Sequence, residues 1–150
     1  MKSRNCIEKE ASKENQAALL FAKRLGLIED ASFMALEQRR IARNTENIGK
    51  IMRGEPVYGL ISYSAPAYLQ YELTRFKLDF TEETDEIKKN YEYHIISEEE
   101  KKEFYLNNQD IFTRYHGDEF SYKEVELIIE KRIREAEYEK NIKDILCQLP

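Results

Sequence analysis

Phe120-Ser121-Tyr122-Lys123-Glu124-Val125 contains the strongest helix start in the sequence. Ser121 and Glu124 have the spacing of a capping box, in which the hydroxyl accepts a backbone N–H of the first turn and the glutamate accepts the N–H of the cap residue. Phe120 and Val125 occupy the two positions of a hydrophobic staple. Apolar side chains follow at helical spacing: Val125, Ile128, Ile129, Ile133, Ala136, Ile142, Ile145 and Leu146. The sequence therefore predicts a long C-terminal helix with an apolar face from Val125 to Leu149.

Two further serine-capped helices are predicted upstream of this one. Ser97-Glu98-Glu99-Glu100 is a second capping box and predicts a short helix, which ends before a turn between Arg114 and Asp118. Ser64-Ala65-Pro66 predicts another helix start, since proline is tolerated in the first turn. The core stripe expected for this third helix is Leu69, Leu73, Phe76, Phe80 and Ile87.

The N-terminal third of the chain predicts two helices. The first covers roughly Glu8 to Leu25 and ends at Gly26, a residue type common at helix C-termini. The second is capped by Asp30 or Ser32 and continues to Arg53. Its periodic positions are Phe33, Leu36, Arg40, Ile41, Ile48, Ile51 and Met52, all apolar except Arg40.

Two segments have strand-like composition. Pro56 to Tyr63 is rich in β-branched and aromatic residues, and Tyr91 to Ile96 alternates weakly between apolar and polar side chains. Their pairing would give one short two-stranded β element within a helical protein. The fold class predicted is therefore all-α, a helical bundle of about five helices in a single domain from 1 to 150, with this β element as an open alternative.

Composition excludes several classes of protein. The 150 residues include only 5 Gly and 3 Pro, too few for the many turns of a β-sandwich or β-barrel. No apolar run approaches the roughly 20 residues of a membrane-spanning helix. The net charge of −5 argues against nucleic acid as a partner, and the basic clusters at 39–43 and 131–134 are interpreted as solvated helix faces. No export signal is recognisable, so the sequence predicts a cytoplasmic chain, or an envelope or secreted one if a signal was removed.

The residues that usually carry chemistry form no recognisable motif. His94 and His116 lie far from any nucleophile motif, and Cys6 and Cys147 lie at opposite ends of the chain without metal-ligand spacing. No phosphate-binding glycine loop or zinc motif is present. We therefore expect no metal, no cofactor and no catalytic residues, and interpret the chain as a non-enzyme.

Aromatic residues are the most distinctive feature of the composition. The chain has 10 Tyr and 7 Phe but no Trp, and many of the tyrosines lie in the middle of the sequence. Tyrosine combines a large apolar ring with a hydroxyl that tolerates water, as at surfaces that bind varied polypeptides. The candidate peptide-binding residues are Tyr58, Tyr63, Tyr68 and Tyr71. The alternative is that these rings form the edge of the core.

The order of several motifs resembles that of a known family. The motifs are Gly54-Glu55-Pro56-Val57-Tyr58-Gly59, Ile96-Ser97-Glu98-Glu99-Glu100, Phe104-Tyr105, Asn107-Asn108 and Phe120-Ser121-Tyr122-Lys123-Glu124-Val125. This series resembles the helical N-terminal chaperone region of SurA and PrsA type foldases. The resemblance implies an all-helical, non-catalytic module that binds unfolded or extended polypeptide. It does not imply isomerase activity, because no parvulin-like catalytic segment stands between Phe112 and Phe120.

Two function hypotheses follow from the sequence. The first is a chaperone-like module whose client is an unfolded polypeptide or peptide. The alternative is a helical structural or regulatory protein that binds one specific partner, or forms a homodimer through the Val125 to Leu149 face. A small enzyme remains a third, residual hypothesis that would require a deep pocket with convergent polar groups.

Overall fold

Six helices make up the secondary structure that the protein shows in its described part. The computed structural model describes residues 4–113, 117 and 119–150, with side chains from residue 12 onward. The helices are α1 (Arg4–Arg24), α2 (Phe33–Met52), α3 (Ala65–Thr81), α4 (Asp85–Lys88), α5 (Glu98–Asn107) and α6 (Tyr122–Gln148). The predicted all-α fold is confirmed, and the additional helix is the single turn α4.

The serines predicted to start helices do so. Ser32, Ser64, Ser97 and Ser121 each have extended backbone angles, and each side chain accepts a backbone N–H three residues later. At Ser121 the capping box is complete, because the Glu124 carboxylate also accepts the N–H of Ser121 at 2.9 Å. These hydrogen bonds satisfy donors that would otherwise be unpaired at a helix start.

The main core lies where α1, α3 and α6 meet. Its centre is Phe80, which is fully buried and has four aromatic neighbours at ring-centroid distances between 4.8 and 5.8 Å. A second, smaller cluster joins α5 to α6 around Phe112 and Ile129. The stripe predicted for the third helix faces the main core, although Ile87 belongs to α4.

Most of the apolar face of α6 is covered within the chain. Its buried residues pack under α1 and α3 at one end and under α5 at the other, and they are Val125, Ile129, Ile133, Tyr138 and Ile145. Ile128, which belongs to the predicted stripe, is 48% exposed. A homodimer through this face stays a prediction.

The predicted two-stranded β element is wrong. Residues 56–63 and 91–96 are both irregular, and the only bridge among the described residues is an isolated one between Thr113 and Glu119. Side chains take the backbone groups that a strand pair would use: Asn44 binds the N–H and C=O of Tyr63, while Arg134 donates to the C=O of His94 at 2.6 Å.

Several sequence predictions fall at the margins of the described structure. Gly117 has a φ of 85° and supplies the predicted turn, whereas Arg114, His116 and Asp118 lie outside the described residues. Cys147 is a free, exposed thiol, and the side chain of Cys6 is outside the described part. None of the described helices is both long and apolar enough to cross a membrane.

Candidate functional site

The outer face of α2 carries a row of large apolar side chains in solvent. Met34, Ile41, Ile48 and Met52 are between 52% and 82% exposed. At 100° per residue these four positions lie within about 40° of one another around the helix. Among the described helices, α2 packs substantially against α3 only, so no other described helix covers this row.

Apart from Leu36, which is buried in the main core, the inner face of α2 is polar, and this differs from the usual amphipathic arrangement. Asn44 accepts the N–H of Tyr63 at 2.7 Å and donates to its C=O at 3.0 Å. Asn47, which is 1% exposed, donates to the C=O groups of Leu60 and Ile61, each at 3.2 Å. These two asparagines therefore hold the backbone of the loop that follows α2 against the inner face of the helix.

Arginines complete this inner face and attach α2 to the rest of the fold. Arg40 donates to the C=O of Tyr63 at 3.0 Å and pairs with Glu37. Arg39 binds both carboxylate oxygens of Glu72 on α3, at 2.8 and 3.0 Å. The hydrogen bonds that Arg39 donates to the Glu72 carboxylate raise the pKa of Arg39. The interpretation of residues 39–43 as a solvated basic face is therefore wrong for these two arginines, because both are held in hydrogen-bonded ion pairs.

The loop that α2 holds presents its own apolar side chains to solvent. Tyr58, Leu60 and Ile61 are 82%, 52% and 60% exposed. Gly59 has a φ of 86°, and a Cβ there would lie 3.1 Å from the Tyr63 hydroxyl, so any other residue at this position would be strained.

We call residues 33–63, which comprise α2 and the loop that follows it, the arm. The arm contains nine of the sixteen exposed large hydrophobic side chains of the described residues, which makes it the most apolar surface there.

Three of the four predicted peptide-binding tyrosines cluster where the arm meets α3, and the fourth lies on the loop of the arm. Tyr63 and Tyr68 are buried, with their rings 5.6 Å apart, and Tyr71 contacts both at its more exposed position. Burial and the neighbouring Glu72 carboxylate raise the pKa of Tyr68 to about 12. Tyr58 lies apart from this cluster, in solvent. The structure thus brings Tyr63, Tyr68 and Tyr71 together as packing where the arm meets α3, and the peptide-binding role of the four tyrosines stays a prediction.

A second concave region lies between residues 91–95 and α6. It is a groove of about 890 Å³ whose central polar group is the Glu137 carboxylate. Glu137 accepts hydrogen bonds from the Tyr91 hydroxyl at 2.6 Å, from the His94 N–H at 3.3 Å and from Arg134 at 2.7 Å. Burial and the bond to Glu137 raise the pKa of Tyr91 to about 12. Because these groups satisfy one another, the network fixes residues 91–95 on α6, and Glu137 serves the fold.

Side chains that could hold a metal ion do not converge in the described part of the chain. His94 instead pairs with Glu100 at 2.9 Å, both of them exposed. Arg134, which the sequence placed in a solvated basic cluster, is buried between Glu83 and Glu137. Neither the burial of Arg134 nor the polar contacts of the inner face of α2 can be predicted from the sequence, because a charged residue in a helix gives the same pattern whether it faces solvent or a buried carboxylate.

Comparison with known proteins identifies a relative of different function from the one expected. No protein-family model and no curated protein matches the chain. Two solved structures do match, the native and selenomethionine forms of the GH136 lacto-N-biosidase from Eubacterium ramulus, each with a TM-score of 0.76 and 31% identity. This chain is similar to part of a glycoside hydrolase. The match covers 91% of this chain and 28% of the lacto-N-biosidase chain.

These matches overturn the resemblance to SurA and PrsA type foldases. Neither solved structure is a foldase or a chaperone, and each matches nearly the whole of this chain with the same fold. The prediction of a module that binds unfolded polypeptide is therefore wrong. The motifs behind it were helix caps and aromatic pairs, which arise in helical proteins of any function.

Proposed function

We propose that this chain is a non-catalytic helical part of a GH136-type glycoside hydrolase, and that it binds the carbohydrate-cleaving remainder of that enzyme. The observation that carries the proposal is the match of 91% of this chain to 28% of a lacto-N-biosidase chain. A segment that corresponds to little more than a quarter of an enzyme must work beside the rest of that enzyme, whether joined to it or bound to it.

The buried carboxylates of the chain support a non-catalytic role. Glycosidases commonly cleave the glycosidic bond with two acidic side chains that face each other across the substrate. Here the largely buried Glu72 is held by two of the three side-chain nitrogens of Arg39, and Glu137 is held by Arg134 and Tyr91. Both carboxylates tie elements of the fold together, and their hydrogen bonds are made within the chain and not across an open substrate site.

A chimera tests this function. The E. ramulus lacto-N-biosidase is expressed with this whole chain in place of the region that it matches, beside the unmodified enzyme and this chain alone. We expect lacto-N-biosidase activity in the chimera within about tenfold of the unmodified enzyme and no activity in the isolated chain. Activity of the isolated chain would refute the non-catalytic role, and a chimera whose two parts unfold independently and lack activity would refute the association.

A further inference from the structure

We propose that the arm, residues 33–63, is the surface through which this chain binds the remainder of a GH136-type hydrolase. This inference rests on the proposed function and adds the site of contact to it. The interface would be centred on Ile41 and Ile48 of α2, and would also include Tyr58 and Ile61 of the loop.

The distribution of polarity on α2 is the first argument. A helix at the surface of an isolated protein buries its apolar side and exposes its polar side. In α2 the polar Asn44 and Asn47 face inward, while the row from Met34 to Met52 faces solvent. A contiguous exposed apolar surface of this kind marks an interaction site, since its burial in a complex is favourable.

The rigidity of the arm is the second argument. The loop lacks secondary structure, yet Asn44, Asn47 and Arg40 bind four of its backbone groups through five hydrogen bonds. Tyr58, Leu60 and Ile61 are therefore presented on an ordered backbone. A surface that is ordered before binding loses less conformational entropy in the complex, which favours affinity.

The comparison with the lacto-N-biosidase identifies the occupant. The matched region is 28% of that chain, so most of the lacto-N-biosidase lies beyond the part that resembles this protein. Most of the α6 stripe is already covered by α1, α3 and α5. Of the large hydrophobic side chains that are exposed in the described part of the chain, nine lie in the arm and seven are spread over the rest. The arm is therefore the largest concentration of exposed apolar side chains that the rest of the enzyme could cover.

Co-expression of two polypeptides tests the arm. The first is this whole chain, and the second is the unmatched remainder of the E. ramulus lacto-N-biosidase, tagged for purification. The arm variant is Ile41→Gln with Ile48→Gln, and Tyr58→Ser with Ile61→Ser is a second arm variant on the loop. The matched control is Leu106→Gln with Leu127→Gln, which changes two residues that are 68% and 74% exposed but lie outside the arm. Circular dichroism of each isolated variant checks the fold.

We expect the wild type and the control to co-purify with the remainder at close to equal molar amounts, and both arm variants to be reduced at least tenfold. If the wild type co-purifies and both arm variants do so equally well, the arm is the wrong surface and the proposed function stands. If the wild type does not co-purify, the proposed function and the inference both fail. A concentration-dependent dimer of the wild type that Ile41→Gln with Ile48→Gln abolishes would assign the arm to a second copy and overturn the proposal.

Discussion

At the scale of single residues, Phe80 contributes most to the main core. It is fully buried at the centre of an aromatic cluster with Phe21, Tyr91, Tyr93 and Tyr138. We expect Phe80→Ala to lower the free energy of unfolding by about 3–5 kcal/mol, because it leaves a cavity that rigid rings cannot fill. Urea unfolding measures this, with Leu78→Ala, 40% exposed on the same helix, as the control. Similar losses in the two variants would contradict the assignment of Phe80 as the core centre.

The buried tyrosine hydroxyls predict how stability depends on pH. The pKa values of Tyr68 and Tyr91 are raised from 10 to about 12, chiefly by burial. A group that binds its proton more tightly when folded contributes stability below its unfolded pKa and loses that contribution as pH rises through the folded value. The free energy of unfolding should therefore fall between pH 10 and pH 12. Tyr91→Phe and Tyr68→Phe should each make the decline shallower in urea unfolding at successive pH values, and an unchanged slope in both would count against this origin.

At the scale of elements, the loop after α2 depends on amide side chains. Asn44 both accepts from and donates to the backbone of Tyr63. We expect Asn44→Ala to increase the hydrogen-exchange rate of the Tyr63 amide at least tenfold, because its only described partner is lost. Asn44→Asp keeps the acceptor and should retain most of the protection, which makes it the matched control. Equal exchange in the wild type and Asn44→Ala would show that the loop is ordered by other contacts.

The same element shows what could be predicted from the sequence and what could not. Ser64, Ser97 and Ser121 were identified as helix caps and Ser32 as one of two candidates with Asp30, because a cap is a local pattern of one side-chain oxygen and the next turn. The direction in which α2 faces is a tertiary property. Periodicity places Ile41 and Ile48 on one side of the helix, but it does not reveal that the chain buries the opposite side through asparagine and arginine.

At the scale of the whole molecule, the function could not be predicted from these local patterns. The helical class followed from composition and capping, whereas the resemblance to foldases used the order of short motifs that many helical proteins share. The match to the lacto-N-biosidase covers the fold of nearly the whole chain. In this chain the fold is held in part by ion pairs between residues that are distant in the sequence, Arg39–Glu72 and Arg134–Glu83. Such pairs join residues 33 and 51 positions apart, and spacing along the sequence gives no signal for them.

If the arm serves a partner and not the fold, its apolar residues should be dispensable for stability. We expect Ile41→Gln with Ile48→Gln to change the free energy of unfolding of the isolated chain by no more than about 0.5 kcal/mol per site, as for other surface substitutions. The same change should raise the concentration at which the isolated chain begins to aggregate, because exposed apolar patches promote association. Urea unfolding and light scattering against concentration measure the two effects. A loss of stability above about 2 kcal/mol would mean that these isoleucines belong to the folded core, since only buried apolar side chains cost that much to replace.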